Sequence, residues 1–340
     1  MDNFNKYRLF GVIIMIFVVG YGYGQDPLFS QYNHSPMHIN PAFVGLSDAP
    51  RFTLHYRNQW PNIASFNTYT TYSFTYDQFY KKINSGFGLQ LLADNAGNGF
   101  LSSQKIAGTY GYQVKLSKTG SYLKGGLELG VGRTYYAWDK YIFGNQIDPK
   151  TGAISPGGTG VGNPEIVPDN FSRVYLDIGT GILFYNPLYF IGFSIKHINT
   201  PDNSILKVNE SSYSGIPARF VVHAGYEYKF SSRSRAQHSF NPSIMYVRQA
   251  GFNQLMLGTN YHFQTFFMGA YYRNSRLTSD AIIGILGFKK DIYRISYSFD
   301  FTVSDLTISQ GGSHEIAFGI NLASNPKKQP VKTDCFDGFR

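Results

Sequence analysis

From Arg51 onward, apolar and polar residues alternate with period two. Phe220, Val222, Ala224, Tyr226, Tyr228 and Phe230 share one face, while Arg219, His223, Gly225, Glu227 and Lys229 interleave on the other, with Val221 the exception. Tyr293, Ile295, Tyr297, Phe299, Phe301 and Val303 likewise face away from Arg294, Ser296, Ser298, Asp300 and Thr302. In a β-strand these two sets point to opposite sides of the sheet. About fourteen such segments are predicted, near 51–60, 66–78, 85–95, 102–115, 121–135, 171–184, 187–197, 216–230, 239–249, 252–263, 265–274, 280–289, 291–303 and 312–322. Those at 239–249 and 280–289 alternate least well.

A soluble β-sandwich alternates too, with its oily face inward and long charged residues outside. Here the polar set is small residues mixed with single charges of both signs, as at Lys124, Gly126, Glu128, Gly130 and Gly132. That mixture suits a crowded, wet barrel interior. Tyr56, Tyr76, Tyr112, Tyr135, Phe184, Tyr228, Phe230 and Tyr261 fall near segment ends, where interfacial aromatic girdles sit. The two longest connections, 136–170 and 198–215, both follow odd-numbered segments and so belong to one end of a barrel. The expected fold is an all-β transmembrane antiparallel barrel over 51–322. Lipid offers no hydrogen bonds, so an open strand edge in hydrocarbon would cost several kcal/mol per unpaired group, and closure removes it.

Outside the alternation lie three other stretches. Residues 1–24 read as an export signal: Lys6 and Arg8 precede the apolar run Leu9–Val19, and Gly22 and Gly24 follow. Residues 25–50 carry Pro27, Pro36, Pro41 and Pro50, which impose extended or turn geometry. Yet Leu28, Phe29, Tyr32, Met37, Ile39, Phe43 and Val44 make this stretch too apolar for a free linker. It is expected to bury itself in the lumen as a plug, or at the barrel mouth as a periplasmic contact. Residues 323–340 read as a polar periplasmic tail with an incidental thiol at Cys335.

Composition narrows the function classes. The chain of 340 residues is 43% hydrophobic and 17% aromatic but only 15% charged, which excludes a disordered chain. A mean hydropathy of −0.22 argues against a helical membrane protein. One Cys excludes a disulfide framework or multi-cysteine zinc site. The net charge of +9 is spread along the chain, without the patch that nucleic-acid binding requires, so no nucleic-acid partner is expected. Asp94–Gly99 lacks the ligand spacing of a calcium loop and reads as a hairpin turn. The eight His form no His-Glu-x-x-His pattern and no Gly-x-Ser-x-Gly elbow occurs, so neither catalysis nor a cofactor is expected. Inward charges such as Arg51, Arg57, Lys124, Glu128, Arg173, Asp177, Arg219, Glu227, Arg294 and Glu315 either pair across a filled lumen or line a selective pore.

Gln25-Asp26-Pro27-Leu28-Phe29-Ser30-Gln31-Tyr32, then Asn40-Pro41-Ala42 with Gly45, then Tyr56-Arg57 with Gln59 and Trp60, resemble the opening of the PorP/SprF family of Bacteroidetes outer-membrane proteins. Ser313-His314-Glu315-Ile316, opening the last segment, also fits, whereas Phe43-Val44 and the 323–340 tail depart from the family pattern. The resemblance implies an outer-membrane barrel of the type IX secretion system, reached through a signal peptide. It implies support for export and surface anchoring of large proteins and adhesins bearing a C-terminal sorting domain, with a link to gliding motility. Implied partners are that cargo, other secretion subunits, a peptidoglycan-linked periplasmic protein and the lipid bilayer. The matched positions Gln25, Asp26, Pro27, Phe29, Ser30, Gln31, Tyr32, Asn40, Pro41, Ala42, Gly45, Arg57 and Trp60 are, by the same resemblance, the partner-binding candidates. The alternative is a passive outer-membrane channel for small solutes.

Overall fold

A computed structural model describes residues 25–47, 49–62, 69–97, 99–142, 147–148, 151–152, 170–205, 215–230, 238–275, 280–303, 311–322, 335–336 and 339. The predicted export signal at 1–24 lies outside the described residues, as do large parts of the two longest connections and residues 323–334 of the tail.

The strands are β1 Arg51–Gln59, β2 Tyr69–Tyr80, β3 Ser85–Ala96, β4 Leu101–Lys115, β5 Tyr122–Tyr136, β6 Ser172–Tyr185, β7 Tyr189–Lys196 and β8 Arg219–Tyr226. They continue with β9 Tyr228–Lys229, β10 His238–Gln249, β11 Phe252–Phe263, β12 Phe266–Ser275, β13 Ala281–Lys290, β14 Tyr293–Thr302 and β15 Ser313–Asn321. β8 and β9 are one spanning strand interrupted at Glu227, because both hold the same register against β10: Gly225 faces Ser243 and Tyr228 faces Phe240. The sheet therefore has fourteen spanning strands, all antiparallel to their neighbours in chain order. It closes where β1 pairs with β15, from Arg51 opposite Asn321 to Gln59 opposite Ser313. Closure leaves no sheet edge for lipid to meet.

Strand positions agree with the alternation to within about three residues. Tight hairpins form at Ala250, Gln264 and Asp291, each with positive φ. Asp94–Gly99 ends β3 and turns into β4, with Gly97 and Gly99 at φ of 61° and 80°. That is the hairpin the sequence predicts.

The outward set is exposed and oily: Leu286 is 66% exposed, Leu129 59% and Leu54 53%, and their counterparts recur on every strand. A continuous apolar surface of this extent requires a lipid covering. Among the described residues, no helix is long and apolar enough to cross a membrane; the strands make the crossing. One end of the barrel carries Arg51 and Asn321, and is called here the terminal end; the other carries the long connections.

The two poorly alternating segments have a physical explanation. In β13, Ala281, Ile283 and Ile285 point inward while Ile282 and Leu286 point outward, so both faces are apolar. In β10, Met245 and Val247 point inward against Ile244 and Tyr246 outside. The inward residues join Val221, Met256, Phe267 and Tyr271 in one dry cluster, which takes Leu28, Tyr32 and Ile39 from the N-terminal segment. Val221, the exception on β8, belongs to the same cluster.

Candidate functional site

The lumen is occupied by residues 25–47 of the chain itself. Their path starts at the long-connection end. Asp26 Oδ2 lies 2.6 Å from His197 Nε2 and 2.9 Å from Arg219 Nη1, and the Asp26 N–H donates to Gln249 Oε1. Burial alone would raise the Asp26 carboxyl, but the His197 and Arg219 charges overcome it and hold the group well below the usual carboxylate range. His197 sits just past β7, between Asp26 and Asp177. Burial opposes its charge, yet the two carboxylates raise its pKa.

One turn further in, the N–H groups of Ser30 and Gln31 donate to the two oxygens of Glu315 at 2.7 and 2.9 Å. Ser30 Oγ donates to Asp300 Oδ2, and Arg57 reaches both carboxylates from β1. Arg273 completes the cluster, 2.8 Å from Asp300. All four charged side chains are nearly sealed from water. Buried charges are tolerated only when paired and hydrogen-bonded, and the Phe29-Ser30-Gln31-Tyr32 stretch supplies some of those bonds. The Tyr32 hydroxyl donates to Ser243, and its ring meets Tyr271 edge-on.

Two one-turn 3-10 helices follow, Pro36–His38 and Pro41–Phe43. Asn40 caps the second: its Oδ1 accepts the Ala42 N–H at 2.8 Å, with Pro41 at the first helical position, where its missing donor costs nothing. The Asn40 amide nitrogen donates to the carbonyls of Ile182 and Phe193 and lies 3.0 Å from His223 Nε2. Such contact with the strand backbone needs a wall without side chains. A Cβ on Gly181 would stand 2.0 Å from Asn40 Oδ1, and one on Gly126 would stand 2.3 Å from Ala42 N. Gly45, at φ 70°, turns the chain toward the terminal end, its N–H held by Asp77 at 2.8 Å. Lys124 donates to the Val44 carbonyl, and Arg51 pairs with Asp77 at 2.8 Å. The segment then enters β1.

Most of the inward charges pair with one another, as the filled-lumen reading requires; Lys124 instead donates to the Val44 carbonyl and Arg294 lies over the Phe267 ring. Lys105 binds Glu128 and Asp177; Lys196 binds Glu128 at 2.7 Å; His197 Nδ1 lies 2.8 Å from Asp177. With Asp26 they form one chain of alternating charge across β4 to β7. Arg173 instead makes an exposed 3.5 Å pair with Asp202. Arg273, Lys105, Lys196, His197 and Asp77 were absent from the sequence candidates; their signal was inward parity on a strand, or adjacency to a strand end.

Of the partner-binding candidates, Phe29, Ser30, Gln31, Tyr32, Asn40, Pro41, Ala42, Gly45 and Arg57 come together inside the barrel, on the chain's own walls. Asp26 and Pro27 are half-buried at the long-connection mouth and Gln25 is exposed. Trp60 lies apart, half-buried beyond β1, with φ 58° and its ring edge-on to Tyr69.

Ser35, His55 and Glu315 also line up: Ser35 Oγ is 3.3 Å from His55 Nδ1, and His55 Nε2 is 3.2 Å from Glu315. The order is that of a nucleophile, base and orienting acid. Ser35 is only 1% exposed, however, and the Phe29 ring stacks 4.0 Å from the imidazole, so the hydroxyl is shut off from substrate. Among the described residues, no group of His, Cys, Asp and Glu is placed to hold a metal.

The tail requires a correction. Cys335 is not an incidental thiol in a solvated stretch: it is buried with Phe336 and Phe339 against Phe43, Leu183, Tyr185 and Phe190 at the terminal end. This burial leaves no trace in the residue pattern, because two isolated rings in a polar stretch carry no periodicity.

No curated protein sequence matches the chain. Among solved structures it is similar to a Pseudomonas aeruginosa FadL homologue, with 9% identity and a TM-score of 0.43 over 85% of this chain and 94% of that one. It is also similar to Rhodopseudomonas blastica porin in a triple-mutant form, with 8% identity and a TM-score of 0.32 over 80% of this chain and 97% of that one. Residues 21–320, covering the lumen segment and all but the last residue of the strands, match the family described as type IX secretion system membrane protein PorP/SprF. The chain with the plugged barrel therefore belongs to the PorP/SprF family of type IX secretion system membrane proteins.

Proposed function

We propose that this barrel supports the export and surface anchoring of large secreted proteins and adhesins carrying a C-terminal sorting domain, as a tether without bond chemistry. The observation carrying this reading is the lumen occupied by residues 25–47 from one mouth toward the other. A barrel whose bore is spanned by its own chain, and most of whose interior charges are paired, is a poor conduit for solute or polypeptide. What it offers is two mouths held rigidly in a membrane. In this reading residues 1–24 direct export to the outer membrane, and cargo meets the long connections 136–170 and 198–215. Other secretion subunits, a peptidoglycan-linked protein among them, meet the terminal end. Gliding motility would follow where the cargo is a motility adhesin.

The test is affinity purification of the tagged protein from native outer membrane, with identification of co-purifying chains, alongside planar-bilayer recording. The expected result is a large secreted protein with a C-terminal sorting domain, and bilayers that stay silent. Recovery of the barrel alone, together with steady conductance, would replace the tether by a solute channel.

A further inference from the structure

At the terminal mouth, Phe336 and Phe339 sit three residues apart on a turn closed by the Phe339 N–H donating to the Phe336 carbonyl at 2.9 Å. Both rings enter an aromatic recess. Phe336 lies 5.0 Å from Tyr185 and 5.5 Å from Phe190; Phe339 stacks 5.3 Å from Phe43 and meets Phe190 edge-on. Phe336 is 1% exposed and Phe339 7%. The recess comes from three places: Phe43 from the lumen segment, Leu183 and Tyr185 from the end of β6, and Phe190 from the start of β7. A polar contact fixes the direction of the turn: Arg51 Nη1 donates to the Phe339 carbonyl at 2.8 Å. The same Arg51 holds Asp77, which holds the N–H groups of Gly45 and Leu46.

This is the anatomy of a peptide site: a preformed apolar recess, two side-chain anchors and one backbone carbonyl read by a buried guanidinium. The described part of the tail adds no strand to the sheet and makes no disulfide, so side chains hold it there. We propose that the terminal mouth beside β6 and β7 is a docking socket for a turn bearing two phenyl groups three residues apart. Cys335, Phe336 and Phe339 form its resident and exchangeable occupant, and the incoming partner is a Phe-x-x-Phe segment of a protein on that side of the membrane. The chemistry of the partner is read from the occupant already seated. The inference stands apart from the secretion reading, since it concerns what the mouth accepts.

Tethering sets the competition. A segment attached through residues 323–334 is present at an effective concentration on the order of millimolar, so a free peptide must outcompete it. The experiment uses the full chain in detergent and a fluorescent peptide of sequence Asp-Ser-Phe-Asp-Gly-Phe-Arg, read by anisotropy. The chain carrying both Phe336→Ala and Phe339→Ala should bind the peptide, and the unaltered chain should bind it about 100-fold more weakly. Adding Phe190→Ala to the double variant should abolish binding while the heat-modifiable barrel band and β circular dichroism persist. A peptide with both phenylalanines replaced by alanine should not bind. No binding to the folded double variant, equal binding to both chains, or equal binding of the alanine peptide would overturn the proposal.

Discussion

The inner wall has two unlike sectors. From β8 through β13 it is mostly dry, with Arg219 and Arg273 near the long-connection end as exceptions: Val221, Met245, Val247, Met256, Ile283 and Ile285 pack on Leu28, Tyr32 and Ile39. From β4 to β7, and again around β1, β14 and β15, it is ionic: Lys105, Glu128, Asp177, Lys196, Arg57, Asp300 and Glu315 pair with one another and with Asp26, Ser30 and Gln31. One short segment serves both by turning its apolar side chains one way and its polar groups the other. The dry sector gains stability from area removed from water and is forgiving of shape. The ionic sector gains little net stability, because desolvation offsets attraction, but it tolerates no missing partner. The contrast assigns adhesion to one wall and register to the other.

Substitutions in the two sectors should fail differently. The largest effect is expected at Arg57→Ala, which strands Glu315 and Asp300 as buried, under-compensated charges and should cost about 3–5 kcal/mol; urea titration of the heat-modifiable band measures it. On the dry wall, Ile283→Ala leaves a cavity and should cost about 2–5 kcal/mol, while Ile282→Ala, facing lipid on the same strand, should change stability by no more than about 0.5 kcal/mol. Equal effects at these neighbours would erase the distinction between inner and outer faces. Gly181→Ala overpacks Asn40 at a cost of about 1–3 kcal/mol. It should appear as protease cleavage within residues 25–47 and as new conductance, because the wall remains while the segment is pushed off it.

The smallest effect concerns the half-buried Asp26 clasp and depends on pH. His197 is raised in the folded chain, so its contribution is full below the ordinary histidine value of about 6.5 and is lost as pH rises through the raised value. Asp26 is lowered, so its contribution is present above the ordinary carboxylate value of about 3.9 and fades as pH falls toward the folded value. Labelling of a Gln25→Cys variant should therefore increase on the alkaline side of the histidine range. His197→Gln should flatten that rise, leaving Arg219 as the remaining clasp. The effect should stay within about 1 kcal/mol, as for other partly exposed ion pairs.

Much of the barrel was legible in the sequence because a two-sided wall between lipid and lumen imposes period two, and small turn residues mark its hairpins. Legibility fell at 239–249 and 280–289, where the lumen itself is apolar and the two faces cease to differ. The family motif around Phe29 and Asn40 could be seen, but its partners could not. Arg57 meets Glu315 and Asp300 only because closure brings β1 beside β15 and near β14, from far along the chain. Asn40 finds Ile182 and Phe193 only because Gly181 on β6 and Gly192 on β7 leave bare backbone beside it. Phe336 and Phe339 carry no signal of burial, because nothing in their neighbours announces a recess.

Asp26 lies at one mouth while Arg51, its near neighbour in the chain, opens the first strand at the other. The cord thus passes lengthwise through a sleeve woven from the residues that come after it. Passing a folded, charged cord through a finished sleeve is sterically prohibitive, so order in time follows from order in space. An order in which the strands gather around residues 25–47 before the wall closes avoids that passage. On that order, whatever catalyses insertion of this protein releases a sleeve already holding its cord.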